Sequence, residues 1–368
     1  MNLKTNALIL LVFLITSCVS VKTIKENNKP KNVILLISDG TGLSQISSAF
    51  YFKDTKANYA RFDNIGLINT SSSKQDVTDS AAGATAFACG EKTFNGAIGV
   101  SNDSLALKNL VEIAHDNNIK TGLIATSSII HATPASFFAH QPSRQMNKEI
   151  AGDLVKSSVD FFAAGGTNFF SNDLIKGLEA KDFYINKNGL DDFNSIKNYK
   201  KAGYLLAPNE MPKMSEGRGD FLSKATNLAI DFLGKDNKGF FIMAEGSQID
   251  WGGHQNDGPY LVSELIDFDN TIGKVLDFAQ KDGNTLVIVT SDHETGGFTL
   301  SGKEKTKKDG SKYRDYTEVG MSFSNGGHSA TLIPVFAFGP GAEQFIGVYE
   351  NNEIFDKILK VTNWKTKN

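Results

Sequence analysis

The sequence predicts an α/β protein: a central, mostly parallel β-sheet sandwiched by helices. Three observations predict it. Apolar runs of strand length alternate with stretches of helical period. Those runs are apolar on both faces, as strands covered from both sides must be. Carboxylates and imidazoles stand directly after the runs, where open α/β sheets build their sites. With 368 residues and 40% apolar content, the chain can bury a large core in one unit or two closely joined ones.

In chain order, residues 1–17 read as a lipoprotein signal peptide. A basic start at Lys4 precedes an apolar stretch from Ala7 to Ile15 that is too short to span a bilayer. The following "ITSC" resembles a bacterial lipoprotein box, in which cleavage leaves Cys18 lipidated. Residues 18–30 then form a polar tether, and residues 31–368 the folded domain. This implies a periplasmic or cell-surface protein held to a membrane through Cys18. Lipidation of Cys18 leaves Cys89 with no disulfide partner, so Cys89 is expected to pack as a small apolar side chain.

Strands are predicted at 32–38 ("NVILLIS"), 120–126 ("KTGLIAT"), 239–244 ("GFFIMA") and 284–290 ("NTLVIVT"). Helices are predicted from Ser104 to His115 and from Tyr260 to Gln280. In the second, Leu261, Leu265, Phe268, Ile272, Val275, Leu276 and Ala279 line one face. The alanine-rich "DVTDSAAGATAFACG" is a third helix. Residues 160–220 are Phe-rich with turn signals and no long period, and read as an insertion of short elements on the same domain. The run from Lys303 to Arg314 centres on "KKDGSKY", a solvated hairpin tip. A net charge of −3 with no other basic cluster argues against nucleic-acid binding.

The strand ends carry the chemistry. Asp39 follows the first run, Glu245 the third, and Asp292 with His293 the fourth, while His131 and Thr133 lie a few residues past the second. An Asp after a strand also serves as a helix cap. A His directly after a buried strand has less to gain there. Asp250 and His254 stand four apart, which brings both to one side of a helical turn, and the glycines between them suit geometry better than helix stability. Of the six histidines, His115 suits a helix C-terminus and His140 lies on the surface or behind the site. His328 precedes a strand, so it reaches the site only if its loop folds over or that strand runs antiparallel.

Histidine with carboxylate suits Zn²⁺, and an all-oxygen set suits Mg²⁺. The inventory is enough for two zinc-like sites and one magnesium-like site, the two-metal arrangement of phosphoryl transfer. Ser80, at the first turn of the alanine-rich helix, would gain nucleophilicity from the helix dipole and a metal. Thr78, Asp79 and Ser80 can each be the N-cap, which does not exclude catalysis. The planar fork of Arg144 matches two phosphate oxygens.

These motifs resemble the bacterial alkaline phosphatases, of the short lipoprotein-like form. "NVILLISDGTG", "VTDSAAGATAFACGEKTFNGAIGV", "HATPASFFAHQPSR", "EGSQIDWGGH", "SDHETGGFT" and "GGHSATLIPVFAFGP" correspond in order. The resemblance implies hydrolysis of small phosphate monoesters at alkaline pH through a phosphoserine on Ser80, with Arg144 clamping the phosphate. It implies two Zn²⁺, one on Asp250, His254 and His328 and one on Asp39, Asp292 and His293. One Mg²⁺ would sit on Asp39, Thr133 and Glu245. It also implies a homodimer. His131 and Trp251 stand where the enterobacterial form has Asp and Lys, which alters the surroundings of the magnesium and phosphate. The rivals are a phosphodiesterase or sulfatase of the same superfamily, or a non-catalytic metal- or phosphate-binding lipoprotein. "DSAAGATA" lacks the Pro and Arg of a sulfatase nucleophile.

Overall fold

The computed structural model describes residues 29–366. The segment expected to be a signal peptide, Cys18, and the expected tether up to residue 28 lie outside the described residues. The first half of the chain forms β1 (Asn32–Ser38), α1 (Leu43–Phe52), β2 (Asn64–Asn69), α2 (Ser80–Cys89), α3 (Leu110–Asp116), β3 (Lys120–Ser128), α4 (Ala132–Ala135) and α5 (Asn147–Lys156). Next come β4 (Phe161–Gly165), α6 (Asn172–Glu179), β5 (Phe183–Asn186), α7 (Phe193–Ile196), β6 (Lys201–Leu205), α8 (Phe221–Gly234), β7 (Phe240–Gly246), α9 (Gln248–His254) and α10 (Gly258–Asp282). The last part holds β8 (Thr285–Thr290), β9 (Glu294–Thr295), β10 (Thr299–Thr306), β11 (Lys312–Ser322), β12 (His328–Ser329), β13 (Ile333–Phe338), β14 (Gly347–Glu350) and α11 (Glu353–Thr362).

Ten strands form one sheet in the order β14-β2-β13-β8-β1-β7-β3-β4-β6-β5. Among the described strands of that sheet only β13 runs against its neighbours. β1 shows why its residues are apolar throughout: Val33, Leu35 and Ile37 enter the core on one face, Ile34 and Leu36 the core on the other. α10, the longest helix, buries Leu261, Leu265, Phe268, Ile272, Val275, Leu276 and Ala279, the residues that carried its period. No helix among the described residues is long and apolar enough to cross a membrane.

Two expectations need correction. Residues 160–220 do hold short elements of the same domain, but they are no appendage. β4, β5 and β6 continue the parallel sheet beyond β3, so this segment is one whole edge of it. The helix expected over 104–115 begins only at Leu110. Asn109 caps it by accepting from the Glu112 amide while Glu112 accepts from the Asn109 amide. Upstream, Ser104 adopts φ 60° and Leu105 is exposed. The hairpin is present as β10 and β11, with the "KKDGS" turn between them.

Register sets the site. Ile37 of β1 pairs with Glu245 of β7 on one side and Thr290 of β8 on the other, and Ala125 of β3 pairs with Glu245. The residues that follow these strands therefore emerge at one level on one edge of the sheet.

Candidate active site

α2 is buried over all ten residues. That is why its sequence is small and apolar on every face, and why its N-terminus can point into the interior. Asp79 is the N-cap, accepting from the Ala82 amide at 3.0 Å, and Ser80 is the first helical residue. The Ser80 hydroxyl lies 3.2 Å from His293 Nε2. Two glycines let the walls close. A Cβ on Gly40, at φ +72°, would come within 2.6 Å of the Asp250 backbone, and one on Gly83 within 3.0 Å of Asp292 Cβ.

Three groups of ligand atoms gather here, each within 4.8 Å: Asp250, His254 and His328; Asp39, Asp292 and His293; Asp39, His131 and Glu245. Asp39 belongs to two of them. In the first group, His254 Nδ1 lies 2.8 Å from the Gly326 carbonyl and His328 Nδ1 2.8 Å from the Thr78 carbonyl. Each imidazole thus donates from Nδ1 and presents a lone pair on Nε2. Those two Nε2 atoms stand 3.2 Å apart and flank the Asp250 carboxylate at 3.4 and 3.6 Å. Facing lone pairs beside a carboxylate call for a cation.

The second group is fully buried. His293 Nε2 lies 3.3 Å from Asp292 Oδ2 and 3.6 Å from Asp39 Oδ1. Both Asp39 oxygens and Asp292 Oδ2 lack hydrogen-bond partners. Burial raises the Asp39 carboxyl well above its usual range, and the charges of Asp292, Asp250 and Glu245 raise it further. Burial also raises Asp292 and lowers His293 to about 3, the latter with help from His328. Buried carboxylates left without donors are costly unless a metal ion takes their place as partner.

In the third group, burial raises Glu245 to about 7, tempered by a hydrogen bond from Ser247. Its Oε2 accepts from Ser247 at 2.6 Å and Ser127 at 3.3 Å, while Oε1 is unpartnered. The buried Thr133 hydroxyl faces Glu245 without a hydrogen bond of ordinary geometry. His131 Nδ1 is likewise unpartnered, so the imidazole stands within the group and not merely behind it. Burial lowers His131 to about 3, with the Arg144 charge adding to the effect. The half-buried Trp251 meets the His131 ring edge-on, centroids 5.8 Å apart.

Arg144 is held by Asp79, Nη1 to Oδ2 at 3.1 Å, and its Nη2 lies 3.4 Å from His131 Nε2. The helix cap therefore also aims the cation, a link the sequence did not disclose. His115 is exposed in the last turn of α3, as expected. His140 bonds the Gly99 carbonyl and Glu112, belonging to none of the three groups. Sequence reasoning also missed Ser127, Ser247 and Thr295. The last two stand two residues after a ligand, a spacing that can return a side chain to the same side in extended chain.

The donor sets fit metal ions: nitrogen with carboxylate in the first two groups, mainly oxygen in the third. A family model for alkaline phosphatase matches residues 30–307. Alkaline phosphatase 3 of Bacillus subtilis is 33% identical, over 92% of this chain and 90% of its own length. The structure of the alkaline phosphatase from the Antarctic bacterium TAB5 is 64% identical and superposes with a TM-score of 0.90, over 92% of this chain and 99% of that one. A TAB5 variant with aspartate in place of a histidine, with Mg bound in its M3 site, matches over the same shares with a TM-score of 0.91. With sheet, buried ligand groups and sequence in agreement, the chain belongs to the alkaline phosphatase family, metal-dependent enzymes that hydrolyse phosphate monoesters.

Proposed function

We propose that the chain hydrolyses small phosphate monoesters at alkaline pH by double displacement through a phosphoserine on Ser80. The observation that carries this reading is the Ser80 hydroxyl at a buried helix N-terminus, 3.2 Å from His293 Nε2 and beside unpartnered carboxylates. Asp250, His254 and His328 would hold one zinc, and Asp39, Asp292 and His293 the other. Asp39, Thr133 and Glu245 would hold a magnesium, with His131 beside it. Bound there, the ions would supply Lewis acidity, polarising the ester and lowering the pKa of hydroxyl groups at neutral to alkaline pH.

The chain's own residues do the rest. The N-terminus of α2 stabilises developing negative charge on Ser80 Oγ as it attacks phosphorus. Arg144, aimed by Asp79, pairs with two non-bridging oxygens and holds the phosphoryl group in line. The alcohol leaves on the face opposite Ser80, and water then attacks phosphoserine from that side. Two inversions give retention at phosphorus. Because Ser80 and the water act in deprotonated form, the rate rises toward alkaline pH.

Support for magnesium in the third group comes from its oxygen donors, and within the family Mg is bound in the M3 site of a TAB5 variant that carries aspartate in place of a histidine. Anchoring through Cys18, with a periplasmic or cell-surface location, rests on the N-terminal sequence. A homodimer suits the apolar side chains exposed on α1: Leu43 and Phe50 at 54% and Tyr51 at 62%. Ser80→Ala tests the central reading. Hydrolysis of 4-nitrophenyl phosphate should collapse, and acid-quenched protein should lose its covalently bound phosphate. Activity undiminished by that change would refute the assignment.

A further inference from the structure

The geometry points to Thr295 as the positioning residue that sets one ligand in each of the two zinc groups, an inference that rests on the two-zinc reading. Thr295 is fully buried in β9. Its amide donates to the Gly40 carbonyl at 3.1 Å, and its carbonyl accepts from Gln45 Nε2 at 3.0 Å. The backbone is thus tied to the segment that follows β1. Its side chain is wedged against α9, where a Cβ built on Gly253 would sit 3.0 Å from both Thr295 Cβ and Cγ2. With the methyl packed there, the hydroxyl turns to the ligands.

That hydroxyl has one proton and two neighbours. Oγ1 lies 2.5 Å from Asp250 Oδ1 and 3.2 Å from His293 Nδ1. An ionised carboxylate only accepts, so the proton goes to Asp250 and Oγ1 must accept from His293 Nδ1–H. A neutral imidazole protonated on Nδ1 carries its lone pair on Nε2. That atom faces Ser80 Oγ at 3.2 Å and Asp292 Oδ2 at 3.3 Å. On the other side, the bond engages Asp250 Oδ1 and leaves Oδ2 turned toward His254 Nε2 at 3.4 Å. One hydroxyl therefore fixes the tautomer of an imidazole in one group and the rotation of a carboxylate in the other.

The test is zinc uptake, measured without reference to turnover. The purified chain, stripped of metal, is titrated with zinc against a chromophoric chelator, alongside Thr295→Val and Thr295→Ser. Valine keeps the shape and loses the hydroxyl, whereas serine keeps the hydroxyl and loses the packed methyl. The expected result is two zinc ions on the unmodified chain, affinity weakened roughly 10- to 100-fold at both groups in Thr295→Val, and affinity within about threefold of the unmodified chain in Thr295→Ser. The reverse order, with serine binding worse than valine, would make the residue a packing wedge and overturn the proposal. Equal affinity in Thr295→Val would overturn the role of Thr295 alone. Fewer than two ions on the unmodified chain would overturn the two-zinc reading and this role with it.

Discussion

Replacing Gly83 by alanine separates helix stability from site geometry. Glycine in a helix interior costs about 1 kcal/mol relative to alanine, and Gly83 interrupts "SAAGATA" where alanine would continue the pattern. Propensity alone therefore predicts stabilisation. The structure opposes it, because the new Cβ would lie 3.0 Å from Asp292 Cβ and 3.3 Å from the Asp292 carbonyl oxygen. Carbon atoms rest at about 3.5–4.0 Å, so α2 and the Asp292 segment must part by about 0.5 Å. Overpacking of this kind costs about 1–3 kcal/mol, which leaves a net loss of at most about 2 kcal/mol after the gain in propensity. With an unfolding entropy of about 2.1 cal/mol/K per residue, the Tm falls by no more than about 3 °C. Activity suffers more. α2 carries Ser80, and a misplacement of 1 Å can cost about 100-fold, so half that distance predicts about a tenfold loss. The assay is kcat/KM for 4-nitrophenyl phosphate at saturating zinc and magnesium, with calorimetry on the same samples. Wild-type activity in Gly83→Ala would refute the claim that this glycine exists to admit Asp292.

Chelation should expose a pH-dependent contribution to stability from Glu245. Glu245 is raised from 4.5 to about 7 in the folded chain, so the folded state binds more protons than the unfolded one in that window. Stability is then fully present below 4.5 and lost as pH rises through about 7. Because buried His131 and His293, both lowered to about 3, push the total profile the other way up to 6.5, the readout is the difference from Glu245→Gln. The Tm of the metal-depleted unmodified chain relative to that variant should fall between those limits, and a pH-independent difference would contradict this. His140 gives a second window. Burial alone would depress it, but its bonds to Glu112 and the Gly99 carbonyl outweigh that and raise its pKa above 6.5. Its charged contribution is present below 6.5 and lost at higher pH, so His140→Gln should lower the Tm more at pH 5.5 than at pH 9. Cys89 is buried, and burial pushes its thiol well above the usual range. Cys89→Ala should cost roughly 1 kcal/mol of stability and leave kcat unchanged, and a fall in kcat would give the thiol a role beyond packing.

Much of the site was legible because its chemistry is written next to its scaffold. A short apolar run followed at once by Asp39, Glu245, or Asp292 and His293 is a local pattern, and the parallel register of β1, β7 and β8 turns it into proximity. The edge of the sheet lacked such a pattern. β4, β5 and β6 have four or five residues each, separated by α6 and the four-residue α7, too short for a period to stand out from the turns. The helix over 104–115 misled for another reason. Leu105 and Leu107 extend the apolar spacing upstream, but the Asn109–Glu112 capping box starts the helix after them. Thr295, Ser247 and the Asp79–Arg144 pair were not visible because a hydroxyl or carboxylate that orients a ligand has no residue type of its own.

His328 shows where local reading stops. A ligand that precedes its strand lies at the wrong end of a parallel sheet, and the sequence left two ways out, a folded loop or a reversed strand. The structure takes the second. β13 pairs antiparallel with β8, Phe338 opposite Val287 and Phe336 opposite Val289, so its N-terminal end lies where β8 ends. Just before it, β12 pairs with β9, setting His328 opposite Thr295 and Ser329 opposite Glu294. Glu294 accepts from both Ser329 and Gln45, pinning this short ladder to α1. The His328 ring consequently stacks on His293, centroids 3.5 Å apart. Each of these pairings joins residues more than thirty positions apart, and the exposed β10–β11 hairpin fills the gap. A loop of that length adds little closure entropy for each further residue. The hairpin can therefore vary in length while the β9–β12 pairs keep His328 beside Asp250 and His254.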